Sequence, residues 1–482
     1  MSRFLLFFSQ VVLLFWTRVS SEENELTCRN INEYNVCHDK EVLIKVTQRG
    51  SENKLEIGNL ALQEIREDAF KNLSATQLDL TNGNQISVLK RESFRGLPNL
   101  KFLDLDNNMI PLSEYLFVEL LPLQSLSLGS NKIESIPENS FAGLLNLTLL
   151  FLAYNSITAI EAESFGHSKL VVLWLNKNKI SCVAPDSFAG LPELEILHLD
   201  YNQLKDLPNG AFRGLTRLKT LFLNSNQITS VSRMLLRDLV GLERLYLGQN
   251  EISTLEPGTF QELSQLQELD LNENKLSHIV VGTFIGLSEL HTMQLSNNEI
   301  HTIDNGAFSD TVRLQNSSFG DNSTEIDKDI TWGIIIKLFF FNRLRSLPDS
   351  VCRGLNKLEF LSLNSNRMTN VSRALLCDLA GLKRLFLIQN KISTLEPGTF
   401  QDLSQLEMLR LDENKLSRIV AGTFVGLSNL KRIGLSDNEI HTVDDDAFSD
   451  LVKLEYLYFY GNNFTEIDKE INGLPFNVTI VI

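Results

Sequence analysis

The 482-residue chain lacks the short motifs that carry catalysis or metal binding. It contains no HExxH, no GxSxG, no phosphate-binding loop and no CxxC pair. The acidic run at Asp444–Asp446 lacks the alternating oxygen ligands of a calcium loop, so we interpret it as a solvated surface. His301 and His441 occupy equivalent places just after predicted strands, and we interpret them as duplicated turn residues. We therefore expect a protein that is not an enzyme and holds no metal or cofactor.

The chain also lacks an apolar run long enough to cross a membrane, which takes about 20 residues. Its run at Phe4–Trp16 is shorter, follows Arg3 and precedes the small or uncharged residues Val19 and Ser21. This arrangement is typical of a secretory signal peptide, which we place at residues 1–21. We therefore predict a secreted, extracellular protein without a membrane-spanning helix.

An excess of positive charge is absent as well. The chain has 44 Lys and Arg residues against 60 Asp and Glu residues, which gives a formal net charge of −16. A strongly acidic surface repels the phosphate backbone of nucleic acids, so non-specific nucleic-acid binding is disfavoured. We expect no nucleic-acid partner.

What the sequence does contain is the motif LxxLxLxxN, which recurs about every 24 residues. A repeat of this length is typical of a solenoid, in which each unit buries its apolar edge against its neighbours. Two looser units come first, one ending near Asn84 and one in which Leu60 takes the asparagine position. The regular units carry their asparagine at Asn108, Asn131, Asn155, Asn178, Asn202, Asn226, Asn250, Asn274, Asn298, Asn322, Asn342, Asn366, Asn390, Asn414, Asn438 and Asn462.

One unit illustrates the predicted coil. Leu221 and Leu223 alternate as in a short strand and point into the core, whereas Phe222 points to the opposite, concave face. Asn226 closes the turn after the strand, where its amide can satisfy backbone groups of the tight coil. Amphipathic helices do not explain this asparagine or the LxL spacing. Ten residues after the asparagine an apolar residue returns, and we expect these rings to stack under the convex side: Phe141, Phe165, Phe188, Phe212, Phe260, Phe284, Phe400, Phe424 and Phe448.

Over residues 54–470 these units resemble the 24-residue typical class of extracellular leucine-rich repeats. Similar units build the ectodomains of Toll-like receptors, Slit-like guidance proteins, and secreted immune or carrier proteins. The resemblance implies an α/β solenoid, that is, a horseshoe with a parallel β-sheet on its concave side and an irregular convex side. It also implies that the chain offers a long surface to a partner instead of performing chemistry.

Extracellular repeat proteins of this class commonly begin with a disulfide-bonded cap, often with four cysteines. Here residues 22–53 contain two, Cys28 and Cys37, which precede the strand-like segment Val42–Val46. The match to the cap pattern is partial. Secretion nevertheless favours a Cys28–Cys37 bridge, because disulfides persist in oxidising compartments.

Three further cysteines remain. Cys352 takes the phenylalanine position of its unit, so we expect it to be buried as a small apolar residue, whereas Cys182 and Cys377 take non-core positions. A Cys352–Cys377 bridge is disfavoured, because these positions point to opposite sides of the coil. A leftover thiol leaves open both a free cysteine and a disulfide-linked partner or oligomer.

An internal duplication divides the repeats. Residues 202–322 and 342–462 align without a gap at an offset of 140, and well over half of the aligned positions are identical. We therefore distinguish leucine-rich repeats at 54–322, an irregular seam at 323–341 and a duplicated block at 342–470. The seam carries an apolar run without strand alternation, which suggests a hinge or an exposed binding patch. We favour the simpler interpretation, an imperfect recombination.

The carboxyl-terminal segment, residues 471–482, alternates apolar and polar residues from Phe476 onwards. It is interpreted either as a final edge strand, protected by a glycan at Asn477, or as a sign that a true cap is missing. We expect glycans at the sequons Asn72, Asn146, Asn316, Asn370, Asn463 and Asn477. Asn322 also matches a sequon, but its place in the asparagine series predicts a buried amide.

The residue between the two core leucines of each strand is predicted to face the concave side. Five consecutive units carry a ring there, at Phe151, Trp174, His198, Phe222 and Tyr246. Because neighbouring strands lie about 4.8 Å apart, the rings should form one ridge. Aromatic residues are enriched in protein-binding hot spots, although they also shield sheets; we favour binding.

The second copy keeps the scaffold but changes its face. Asp270 becomes Arg410, and Thr292 becomes Arg432. We predict that ligand contacts are made by Phe151, Tyr154, Trp174, His198, Tyr201, Phe222, Arg244, Tyr246, Arg384, Phe386, Arg410 and Arg432.

The leading hypothesis is a secreted recognition protein that binds a protein or a microbial surface ligand in innate immunity. The alternative is an extracellular matrix, cell-adhesion, guidance or carrier protein. These residues do not separate the two.

Overall fold

The computed structural model describes residues 26–166, 168–311, 342–463 and 473–482. The predicted signal peptide, the sequon Asn316 and the seam 323–341 lie outside the described residues. The chain divides into two compact units, one of residues 1–156 with 165–169 and one of residues 157–164 with 170–482.

The strands of the first unit are β1 Thr27–Ile31, β2 Tyr34–Asp39, β3 Val42–Gln48, β4 Lys54–Glu56, β5 Glu64–Ile65, β6 Gln77–Asp79, β7 Phe102–Asp104, β8 Ser125–Ser127 and β9 Leu149–Phe151. Strands β1, β2 and β3 form an antiparallel cap, and β5 pairs parallel with β3. Cys28 lies opposite Cys37 across β1 and β2 and is bonded to it, which confirms the predicted bridge. Beyond the cap, β4, β6, β7, β8 and β9 run parallel, one per coil.

The elements of the second unit are β10 Ala159–Ile160, β11 Val172–Trp174, β12 Cys182–Val183, β13 Ile196–His198, β14 Thr220–Phe222, α1 Arg233–Leu236, β15 Arg244–Tyr246, β16 Glu268–Asp270, β17 His278–Ile279, β18 Thr292–Gln294, β19 Thr302–Ile303, β20 Phe360–Ser362, α2 Arg373–Leu376, β21 Arg384–Phe386, β22 Met408–Arg410, β23 Arg418–Ile419, β24 Arg432–Gly434, β25 Thr442–Val443, β26 Tyr456–Tyr458 and β27 Thr479–Val481. Two parallel series, β11-β13-β14-β15-β16-β18 and β20-β21-β22-β24-β26-β27, carry the repeats. The chain is thus a parallel-strand solenoid, as the repeat predicts.

The core of each coil is built from the leucines of the motif. Leu221 and Leu223 are fully buried, because alternation along β14 points both of them inwards. The phenylalanines stack in a second column: the ring centroids of Phe188 and Phe212 lie 6.3 Å apart, and those of Phe260 and Phe284 also 6.3 Å. The predicted stacking of these rings on neighbouring coils is confirmed.

The asparagine at the end of each motif joins two coils. Nδ2 of Asn226 donates to the carbonyls of Leu199 at 3.0 Å and Leu223 at 3.1 Å, while Oδ1 accepts from the backbone N–H of Leu204 at 3.0 Å. Two of these partners belong to the preceding coil. The asparagine therefore pairs buried backbone groups that the strands leave unsatisfied, and we call each such asparagine a rung.

The rungs also show how the two copies meet. The backbone N–H of Ile300 donates to Oδ1 of Asn342 at 3.0 Å, and Nδ2 of Asn342 donates to the Leu295 carbonyl at 3.0 Å. These are the bonds that every rung makes to the coil before it, so Asn298 and Asn342 are consecutive. The predicted order, with Asn322 between them, is wrong; Asn322 itself lies outside the described residues.

The last strand, β27, pairs parallel with β26, and Ile480 lies opposite Leu457. The predicted edge strand is confirmed, but it is shorter than the alternation suggested, because Phe476 is fully exposed and lies before it. Cys352 is buried while Cys182 and Cys377 are exposed, as expected, and all three are free thiols in this single chain.

Candidate recognition surfaces on the sheet face

The sheet face is the side of the parallel strands that points away from the leucine core. In the second unit the last residue of each strand in the two parallel series pairs in register with the last residue of the next strand. Trp174 pairs with His198, His198 with Phe222, and Phe222 with Tyr246. The repeat therefore brings residues about 24 positions apart in sequence into one straight line.

Four of these side chains form a continuous stack, which we call the aromatic column: Trp174, His198, Phe222 and Tyr246. The centroid of the His198 ring lies 5.8 Å from that of Trp174 and 4.1 Å from that of Phe222. The Phe222 and Tyr246 centroids are 4.7 Å apart. All three ring pairs lie within 9° of parallel. Each ring is partly exposed.

Polar contacts hold the rings of the column in place. Nδ1 of His198 lies 3.2 Å from the carboxylate of Asp200, two residues after the end of β13. The hydroxyl of Tyr246 donates to Glu268 Oε2 on the next strand at 2.9 Å. Burial, followed by the nearby Glu268 charge, raises the pKa of the Tyr246 hydroxyl, so Tyr246 stays a donor at neutral pH.

Asp270 follows Tyr246 in the same line of residues. Burial raises the pKa of its carboxyl to about 6, and a hydrogen bond that it accepts from the Asn272 backbone N–H opposes this only in part. A side chain at Gly248 would overlap the Asp270 carboxylate, so the glycine makes room for it. The aromatic column thus ends beside a carboxyl group whose charge changes near neutral pH.

A second cluster lies on β21, β22, β24 and β26. We call it the arginine–tyrosine patch: Arg384, Phe386, Arg410, Arg432, Tyr456 and Tyr458. Nε of Arg410 bonds the Asp412 carboxylate, and the Arg410 guanidinium carbon lies 5.7 Å from the Tyr458 ring centroid. The Arg432 guanidinium carbon lies 5.5 Å from the Tyr456 centroid. Cations over ring faces at these distances are attracted by the ring quadrupole.

The comparisons with known proteins agree with this architecture. The model of the family described as leucine rich repeat matches residues 53–110, 121–173, 146–204, 168–228, 192–252, 217–276, 264–316, 341–392, 369–416, 380–440, 405–464 and 428–475. The chain belongs to the leucine-rich repeat family. No curated protein sequence matches it.

Several solved structures of leucine-rich repeat proteins resemble this one. A leucine-rich repeat protein of Leptospira interrogans is 26% identical with a TM-score of 0.60, over 81% of this chain and 92% of that chain. The plant peptide hormone receptor RGFR1 is 20% identical with a TM-score of 0.57, over 92% of this chain and 72% of that chain. Drosophila Toll is 18% identical with a TM-score of 0.57, over 92% of this chain and 55% of that chain.

The site residues predicted for this leucine-rich repeat protein fall into four groups, one of which lies in the arginine–tyrosine patch: Arg384, Phe386, Arg410 and Arg432. Trp174, His198, Phe222 and Tyr246 lie together, with Arg244 two positions before Tyr246 on the same strand. Tyr201 is exposed at the turn after β13, where the Lys177 ammonium lies 5.3 Å from its ring centroid. Phe151 and Tyr154 belong to the first unit, at the end of β9 and in the turn after it.

Sequence reasoning left four residues of these surfaces out of the predicted site. Asp270, Gly434, Tyr456 and Tyr458 all occupy sheet-face positions, so the 24-residue register was the signal that could have found them. One position on that register behaves differently: Ser362 is buried, although it lies in the same line as Phe386. Side-chain size at the neighbouring positions therefore decides how much of this face is accessible.

The described part of this leucine-rich repeat protein also bears on metal sites, membrane-spanning helices and glycosylation sequons. Among the described residues, no group of three or more His, Cys, Asp or Glu side chains is arranged to hold a metal ion. Nor does any helix in the described ranges have the length and apolar content to span a bilayer. The sequons with described positions, Asn72, Asn146, Asn370, Asn463 and Asn477, are all exposed.

Proposed function

We propose that this protein is a secreted recognition protein that binds a protein partner or a microbial surface ligand through the aromatic column, in innate defence. The continuous stack of Trp174, His198, Phe222 and Tyr246 is the observation that carries the proposal. Runs of partly exposed aromatic residues on a rigid sheet are rare unless they serve contact, and Trp and Tyr are enriched among the residues that dominate binding energy.

The stacking geometry favours a protein ligand. Because the rings lie face to face within 9° of parallel, each inner ring covers its neighbours' faces and presents its edge to the solvent. Nucleobases bind to exposed ring faces, which this column does not offer between Trp174 and Tyr246. Ring edges carry the positive end of the quadrupole and suit carbonyl oxygens and the apolar side chains of a peptide.

Rigidity adds to this argument. His198 is fixed by Asp200 and Tyr246 by Glu268, at 3.2 Å and 2.9 Å. A side chain that is already ordered loses little conformational entropy when a partner binds. The column therefore has the pre-organisation expected of a binding hot spot.

An extracellular setting is supported by the sequence and by the cap. The Cys28–Cys37 bridge closes the cap, and such bridges persist where thiols are oxidised. Two proteins with the same fold were solved with ligands, RGFR1 with RGF2 and Toll with Spätzle. Their likeness to this chain concerns the fold, so the proposal rests on the residues of this chain.

The test is quantitative affinity capture with the secreted protein as bait, followed by mass spectrometry and by dissociation constants for the captured partner. Trp174→Ala and Phe222→Ala should each weaken binding about thirtyfold, the size expected of a hot-spot residue. The matched control is Phe476→Ala, which removes a fully exposed ring far from the column in sequence. Wild-type affinity in both column variants would overturn the proposal, as would equal losses in the control.

A further inference from the structure

The two duplicated copies carry opposite charge on the same sheet-face positions. On β15, β16 and β18 the first copy has one arginine, Arg244, against Glu268 and Asp270, which is a net charge of −1. On β21, β22 and β24 the second copy has three arginines and no acid, which is +3: Arg384, Arg410 and Arg432.

Folding does not require this change. The core residues beneath these positions are buried in both copies, for example Leu269 in the first and Leu409 in the second. Neighbouring strands pair in the same register in both. The change of charge on these strands therefore lies on the face that a ligand would meet, above a core that stays buried in both copies.

We propose that the arginine–tyrosine patch is a second binding site, which takes an acidic peptide segment of a protein partner. The shared chemistry is an oxyanion on a side chain, either the carboxylate of Asp or Glu or a phosphate or sulfate ester. The inference rests on the proposed use of the sheet face as a binding surface. The experiment therefore measures binding at the patch and binding at the aromatic column separately.

The two central arginines keep donors for such a ligand. Arg410 bonds Asp412 through Nε, and in the described structure its two terminal nitrogens form no hydrogen bond. Within the same described ranges Arg432 forms no ion pair at all, although its guanidinium lies over Tyr456. Planar guanidinium groups bind carboxylate and phosphate oxygens in pairs, and stacking on a ring fixes their orientation beforehand.

Gly434 makes this arrangement possible. It lies between Arg410 and Tyr458 in the line formed by the last residues of these strands. A side chain at Gly434 would overlap both Nε of Arg410 and the Asp412 carboxylate. Only the missing side chain lets Arg410 extend across β24 to the Tyr458 ring. The first copy has Gln294 at the equivalent position and Asp270 in place of the arginine.

A peptide fits the patch better than a long polyanion does. The chain carries a net charge of −16, which repels an extended polyanion beyond the patch. The arginines are also interleaved with Phe386 and the two tyrosines, which are partly exposed and suit apolar side chains. Acidic side chains on one face of an extended peptide recur about every 7 Å, within reach of arginines on neighbouring strands.

The experiment measures binding of a labelled octapeptide with alternating glutamates to the full secreted chain. A glutamine version serves as the neutral peptide, and phosphoserine and sulfotyrosine versions distinguish the source of the oxyanion. Arg432→Gln and Arg410→Gln should each weaken the tightest acidic peptide about tenfold or more. Added salt should weaken it too, because the patch is partly exposed. The matched control is Arg353→Gln, which removes an exposed arginine of the same copy away from the sheet face.

Arg410→Lys separates the two roles of Arg410. It keeps the charge that faces Asp412 but loses the planar group, so an oxyanion site predicts weaker binding at unchanged thermal stability. The inference is overturned if no acidic peptide binds better than the neutral one, if Arg353→Gln loses as much affinity as the patch variants, or if heparin binds and the peptides do not. Phe222→Ala should leave peptide affinity unchanged. If substitutions in the aromatic column leave partner affinity unchanged while the patch still binds the acidic peptide, the proposed function is rejected and the peptide site stands.

Discussion

The ring centroids of His198 and Phe222 lie 4.1 Å apart, and the two ring planes are within 5° of parallel. This separation is shorter than the spacing of about 4.8 Å between neighbouring strands, so the two rings lean towards each other. The polar imidazole can pack there because Nδ1 faces the Asp200 carboxylate. Phe222 therefore links His198 to Tyr246, and its loss would divide the column in its middle.

The alternation along β14 predicts unequal effects of adjacent substitutions. Leu221→Asp places an unpaired charge in the core and should cost several kcal/mol, enough to abolish secretion. Phe222→Asp removes a partly exposed ring and should cost about 1 kcal/mol. Secreted yield and urea midpoints of both variants measure the difference. Equal losses would mean that the strand register is wrong.

The junction of the two copies can be tested at a single amide. In Asn342→Ala the backbone N–H of Ile300 loses its acceptor, so its hydrogen exchange should become markedly faster. Exchange followed by mass spectrometry on peptides covering residues 299–303 detects this. Asn322→Ala is the control and should leave Ile300 protected. Faster exchange in the Asn322 variant alone would contradict consecutive rungs at Asn298 and Asn342.

Asp270 should make stability depend on pH. Its folded pKa, about 6, lies above the unfolded value of about 3.9, so the native state binds more protons between these values. Stability therefore falls as pH rises from about 4 to 6 and stays reduced above that. Asp270→Asn should raise the free energy of unfolding at pH 7 by roughly 3 kcal/mol and leave it nearly unchanged below about pH 3.5.

The comparison for Asp270→Asn is Asp206→Asn, which changes an exposed carboxylate. Urea unfolding between pH 3.5 and 8 gives both profiles. If the free energy of unfolding of Asp270→Asn changes with pH in the same way as that of the wild type, the Asp270 carboxyl is not desolvated in the folded state.

The pair Val351 and Cys352 should behave as one packing unit. The first copy has Ala211 and Phe212 at these positions, and a small apolar cavity of about 10 Å³ adjoins Val351 and Cys352. Cys352→Phe alone should overpack against Val351 and cost about 1–3 kcal/mol. Adding Val351→Ala should recover at least about 1 kcal/mol of that loss. A double-mutant cycle from chemical denaturation measures the coupling; additive losses would show that the two side chains do not share this space.

The sequence predicts those features that each coil repeats. Leu221 is buried, Asn226 is a rung and Phe222 lies on the sheet face because every residue at the same phase meets the same backbone environment. Burial of Asp270 and the reach of Arg410 to Tyr458 depend instead on what the adjacent coil has at one position, a glycine in both cases. Repeat spacing carries no information on such pairs.

Spacing also misjudges the junction. A count along the chain assigns one coil to every 24 residues, so it places Asn322 between Asn298 and Asn342. Only the hydrogen bonds of Ile300 and Asn342 show which coils touch. The relation between sequence distance and spatial distance holds within a copy and fails where the copies join.

Because Asn342 bonds the backbone of Ile300 and Leu295 in the coil of Asn298, the number of coils between the two surfaces of the second unit is fixed. From the rung after Tyr246 to the rung after Arg384 the chain advances by five steps: Asn274, Asn298, Asn342, Asn366 and Asn390. At about 4.8 Å per step, a partner that grips both surfaces must span roughly 24 Å. One coil more or fewer at the junction would change that span by about 4.8 Å without altering either surface. The number of coils at the junction of the two copies thereby sets the distance that a partner binding both surfaces must span.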